Sequence, residues 1–116
     1  MAKYERSFKG NFSEVLHFCE RTITEGSASI SLEDASDWSA GNTHVAFRVY
    51  ERYSMLGGNR ASLSFTLVSD GDDLFVSIIT SGGSQAVFFK INTFGEHAFL
   101  DTIAGPLEKY IQKLGY

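Results

Sequence analysis

Between Ser27 and Thr80 the chain alternates apolar and polar residues with little interruption, and this period of two most narrows what it can fold into. Successive side chains on a strand point to opposite faces, so sustained alternation predicts a sheet with one dry and one wet side. Over Ser27 to Glu33, Ala28, Ile30 and Leu32 are expected inward and the serines and Glu33 outward. Asp34 to Asn42 reads as a polar turn with Trp38 in its middle. The next strand places Thr43, Val45, Phe47 and Val49 inward, with His44, Arg48, Tyr50 and Arg52 on its opposite face.

Glycine turns punctuate the alternation. Gly57-Gly58-Asn59, Asp70-Gly71-Asp72 and Ser81-Gly82-Gly83-Ser84 supply the positive φ that tight hairpins need. Between them lie one strand with Ala61, Leu63, Phe65 and Leu67 inward, and another, Leu74 to Thr80, apolar on both sides through Phe75 and Ile79. Ala86 to Ile91 reads as a sixth strand. Short turns between consecutive strands predict an antiparallel meander.

The two ends change period. Residues 3–9 alternate as a short strand, with Tyr4, Arg6 and Phe8 on one side. Asn11 and Glu14 have capping-box spacing, and Phe12, Val15, Leu16, Cys19 and Ile23 follow at helical spacing until Gly26, so a helix is expected over 12–25. Thr93 and Glu96 repeat the box and open a second helix over 94–114, its stripe formed by Phe99, Ile103, Leu107 and Ile111. Gly105-Pro106 predicts a kink or two helical pieces there. The expected fold is α+β, in the order β-α-β-β-β-β-β-α, with an antiparallel sheet covered on one face by two helices. At 116 residues, 43% hydrophobic with ten phenylalanines, the chain has material for a core and reads as one domain over 1–116.

This order of elements resembles the TBP-like and helix-grip group of folds, in which a curved antiparallel sheet wraps a long C-terminal helix. The chain would be a reduced version, since fuller helix-grip proteins have another helix and another strand. The segment Ser81-Gly82-Gly83-Ser84-Gln85, through Phe88-Phe89-Lys90-Ile91-Asn92, to Gly95-Glu96 is similar to a family of small uncharacterised Firmicutes proteins. That resemblance implies no activity. Many helix-grip proteins hold apolar ligands between sheet and helix, and TBP-like modules bind DNA on the open face, so fold alone does not choose between them.

Composition excludes several functions. The net charge is −4 and the basic residues are scattered, so the footprint of nucleic-acid binding is missing. Cys19 is the only cysteine, which rules out an intrachain disulfide and a cysteine-only metal site. Met1 to Phe8 lacks an apolar signal region and no stretch is long enough to span a membrane, so the expected address is the cytoplasm. Cys19 falls on the apolar stripe of its helix, two residues from His17 and pointing away from it. No nucleophile elbow, paired-cysteine site or zinc helix is present, and the acidic groups near Asp34 and Asp70 belong to turns. The glycine loop at 81–84 lacks a Lys-Ser/Thr pair and reads as a hairpin turn rather than a phosphate cradle; receipt of an anion by Ser81, Ser84 and the helix start near Thr93 is the alternative. His97 and Asp101 can pair one helical turn apart. No cofactor or metal is expected.

Two surfaces remain. His44, Arg48, Tyr50 and Arg52, with Ser62 and Ser64 on the neighbouring strand, form an expected face of cations and hydroxyls. It reads as a solvated sheet surface or as a self-association surface, and Arg48 can pair with Glu33 across strands. The leading expectation is a non-enzymatic binding or interaction module, homodimeric. The alternative is a carrier of small apolar ligands, its cavity between sheet and helices lined by Phe75, Phe88, Phe89 and Phe99. Nucleic-acid binding through Arg48 and Arg52 is the weakest of the three.

Overall fold

A five-stranded antiparallel sheet in the order β1-β5-β4-β3-β2 carries both helices on one side. The structure, a computed structural model, describes residues 1–27, 29–53, 60–82 and 89–116, with the backbone alone for 89–97. The elements are β1 (Ala2–Lys9), α1 (Phe12–Glu25), β2 (Ile30–Ala40), β3 (Thr43–Tyr53), β4 (Arg60–Asp70), β5 (Asp73–Gly82) and α2 (Phe89–Lys113). The meander β2 to β5 is joined at its β5 edge by β1, so α1 crosses beneath the sheet from one edge to the other.

Helix α1 forms where its cap and apolar stripe predict. Asn11 has extended backbone and its side chain accepts from the Glu14 N–H at 2.9 Å, satisfying an orphan donor of the first turn. Val15, Cys19 and Ile23 then face the core with no exposure. On α2, Phe99, Ile103, Leu107 and Ile111 are equally buried, and the helix runs through Pro106 as one element. Phe18 stacks on Tyr110 at 4.5 Å between ring centroids, joining the two helices. Gly115, with φ of +98°, ends the last turn: the Tyr116 N–H reaches the Ile111 carbonyl and the Gly115 N–H that of Gln112, the Schellman arrangement that reverses the chain.

The sheet contributes Ala2 and Phe8 from β1, Leu63, Phe65 and Leu67 from β4, and Leu74, Val76 and Ile78 from β5 to that core. These match the expected parity of β1 and β4, and in β5, apolar on both sides, they mark Leu74, Val76 and Ile78 as the inward set. In β3 the parity is reversed: Ala46, Arg48 and Tyr50 are buried under the helices, and Val45, Phe47 and Val49 face away. Nor is 34–42 a turn. β2 continues to Ala40 and turns only at Gly41-Asn42, where Gly41 takes a φ of +57°. As an edge strand it is wet on both sides, so its polar residues fit an extended conformation, and Leu32 is exposed rather than buried. A bulge sits between Leu32 and Asp34.

Helix α2 starts earlier than expected, so Thr93 lies inside it rather than at its cap, and Phe89 to Ile91 are helical rather than the end of a sixth strand. A short apolar run of this kind suits either period. The remainder of that strand, Ala86 to Phe88, lies outside the described residues, as do the Gly57-Gly58-Asn59 turn, Ala28 and the Gly83-Ser84 part of the glycine loop.

Candidate interaction face of the sheet

Residues directly opposite in neighbouring strands share a face, so the register writes out the side of the sheet that the helices leave open. One row runs Trp38, Val45, Val68, Phe75, Ser7 from β2 to β1. The next runs Ser36, Phe47, Thr66, Ser77, Glu5, and the third Asp34, Val49, Ser64, Ile79, Lys3. Among the described residues no helix packs on these rows. Trp38 is 61% exposed, and Phe47 and Phe75 are each 38% exposed. Seven apolar side chains thus share a face with five hydroxyls and with Glu5, Asp34 and Lys3.

What turns β3 this way is visible on the other side. Arg48, its side chain only 8% exposed, reaches Glu20 of α1 and Asp37 of β2, both at 2.9 Å, and also donates to the Ser36 and Phe47 carbonyls. Burial opposes its charge, but the two carboxylates outweigh that and hold the guanidinium protonated. The pairing fastens α1 to the β2–β3 hairpin and allows a charged residue to occupy an inward position. Tyr50 is buried beside it, its hydroxyl pushed up to about 12 chiefly by burial. Arg52 lies over the Phe99 ring at 4.4 Å.

The expected cation and hydroxyl surface is therefore divided. Arg48, Tyr50 and Arg52 lie under the helices opposite Phe65, Leu63 and Ala61, and Ser62 and Ser64 belong to the open face. His44 is exposed at the helix side, tilted against Phe12 with ring centroids 5.4 Å apart. Arg48 pairs with Glu20 and Asp37, not with Glu33. The four phenylalanines of the expected cavity do not meet around one space either: Phe75 is on the open face, Phe99 is in the core opposite, Phe88 lies outside the described residues and the Phe89 side chain is not described. The residues the sequence reading missed are Trp38, Val45, Phe47, Val49 and Val68. The signal available was the apolar content on both parities of the third and fifth strands.

The open face has a groove of about 510 Å³ at its β1 end, lined by Ser7, Lys9, Val68, Phe75 and Tyr116 among others. Tyr116 is brought there by the Gly115 reversal and held by its carbonyl, which accepts from Arg6 at 2.8 Å. Arg6 also makes a two-pronged contact with Glu108, both arms at 3.1 Å, and Tyr4 donates to the same carboxylate at 2.6 Å. The Arg6 and Tyr4 hydrogen bonds hold the Glu108 carboxyl down at about 2. A second depression at the start of α1 is lined by Asn11, Ser13, His44, Asp72 and Ser69, whose buried hydroxyl has no hydrogen-bond partner. Asp72 there and Glu14 in the first turn oppose an anion at that helix end.

Among the described residues, reactive groups are not gathered. Among the described residues, no group of three or more His, Cys, Asp or Glu side chains is placed to hold a metal ion. Cys19 has no exposure and burial pushes its thiol up to about 12, far from a nucleophile's range. Ser81, next to the end of β5, shares a hydrogen bond with Ser62 at 2.8 Å. The side chain of His97 is not described, which leaves its pairing with Asp101 outside the described residues. No described helix is long and apolar enough to cross a membrane.

A family model described as a family of unknown function, DUF6054, matches residues 1–111. No curated protein and no solved structure matches the chain.

Proposed function

Because the chain belongs to the DUF6054 family, whose function is unknown, we propose a function from its sheet: a non-enzymatic interaction module that works in the cytoplasm as a homodimer, joined through the open face. The observation that carries this is the orientation of β3. Val45, Phe47 and Val49 form its more apolar side, and that side is turned away from the helices. Left in water, such a surface loses roughly 25 cal/mol for every Å² of apolar area that a partner would cover. Five strands about 4.8 Å apart and three rows about 6.6 Å apart give the face an area on the order of 500 Å². Two copies would cover about 1,000 Å², the size of a weak interface that forms and parts with concentration.

The competing readings have less support. A carrier would need its phenylalanines around one space, and Phe75 and Phe99 lie on opposite sides of the sheet. Nucleic-acid binding would need free cations on the open face, where Lys3 lies 3.9 Å from Glu5 and Lys9 is 3.5 Å from Asp73. Size-exclusion chromatography with light scattering tests the proposal. The expected mass is twice the 12.8 kDa of the chain, falling towards that value on dilution. A strict monomer up to near-millimolar concentration would overturn it.

A further inference from the structure

We infer that the two copies stack face to face about a two-fold axis running along β4, so that Trp38 of each copy seats in the groove at the β1 end of the other's open face. The inference rests on the homodimer reading and adds its geometry. A two-fold axis parallel to the strands reverses their order and keeps the rows aligned, laying β2 of one copy over β1 of the other and β3 over β5. In the first row, Trp38 then faces Ser7 beside Phe75, and Val68 meets its own copy.

Two independent features fit this axis. The first is shape. The row has an indole at its β2 end, 61% exposed, and at its β1 end a groove of about 510 Å³ lined by Ser7, Val68, Phe75 and Tyr116, with Lys9, Asp70 and Asp73 towards the hairpin. Knob and hole occupy positions that only an order-reversing axis brings together. The second is charge. In the third row, Lys3 stands at the β1 end, at the outer limit of an ion pair with Glu5 and 60% exposed, and Asp34 at the β2 end, so the lysine of each copy faces the aspartate of the other, two such contacts per dimer. An axis across the strands would instead stack β1 on β1, without either match. Aligned sheets cross at about 30°, a displacement at the corners that a lysine side chain can span. The Asp70 side chains approach one another only at the hairpin end, where water and salt screen them.

Trp38 is the only tryptophan, so its emission reports on this contact alone. Emission should shift to shorter wavelength as concentration rises, in step with the mass change. Lys3→Asp and Asp34→Lys should each weaken the homodimer about tenfold, since each sets like charges against each other at two rim sites. An equimolar mixture of the two variants should restore wild-type affinity, because the mixed dimer recovers opposite charges at both sites. Urea midpoints of the dilute variants check that each still folds. A chain that is monomeric throughout would remove the homodimer itself. A dimer whose tryptophan emission ignores dilution, and whose charge variants neither weaken nor rescue it, would overturn this axis and leave the homodimer standing.

Discussion

Phe65 and Phe47 lie on adjacent strands and on opposite sides of the sheet, which makes truncation of each a direct test of the face assignment. Phe65 is 1% exposed and packed in the core. An aromatic side chain there removes about 150–250 Å² from water, worth about 4–6 kcal/mol at 25 cal/mol per Å², and Phe→Ala in cores costs about 3–5 kcal/mol. Phe47 keeps 38% exposure, so it hides somewhat under two-thirds of its area, part of which alanine retains. No cavity forms at an open surface, because water fills the space, and Phe47→Ala should cost only about 1–2 kcal/mol. Urea denaturation followed by circular dichroism, at dilute protein to keep dimerisation out of the comparison, measures both. Losses within about 0.5 kcal/mol of each other, or a larger loss for Phe47, would refute the assignment.

Arg48→Ala should destabilise by about 1–3 kcal/mol in the same assay, below the cost of breaking a fully buried pair because Glu20 and Asp37 can rehydrate. Arg48→Lys should recover only part of this, since an ammonium cannot span both carboxylates and two carbonyls. The Glu108 carboxyl titrates at about 2 in the folded chain against an ordinary 4.5, so the unfolded chain binds the extra proton between those values. Its contribution to stability is therefore complete above pH 4.5 and lost as the pH falls through 2, and Glu108→Gln should flatten the stability profile in that window. Cys19 should resist a thiol-reactive disulfide reagent near about pH 8 until the protein unfolds; rapid labelling of the native chain would contradict its burial.

Helix α1 was legible to the residue because cap, stripe and terminating glycine all point to the same ends. The parity of β4 was legible because Leu63, Phe65 and Leu67 alternate with Ser62, Ser64 and Thr66, whereas β5, apolar on both sides through Phe75 and Ile79, showed no parity of its own. Parity in β3 was not legible, since both sides carry apolar residues and its inward Arg48 is neutralised by Glu20, 28 positions away in sequence, and by Asp37. The polar run of β2 reads as a turn for a related reason: an edge strand wet on both sides shows no period at all. Of the candidate surface, Ser62 and Ser64 were placed correctly on the open side and Arg48, Tyr50 and Arg52 were not, a direct result of the β3 inversion.

The extra residue in β2 works as a one-step phase shifter. Tyr50 faces Leu32 and Val49 faces Asp34, so Glu33 is the residue left over, and from there to Ala40 every side chain is half a period out of step with the stretch before it. Removing that step would rotate the distal strand by one face: the indole would go down toward the helices, and Asp37 would come up and leave the guanidinium below with Glu20 alone. A single count in the chain thus sets both what the outer surface displays and what the inner charge is tied to.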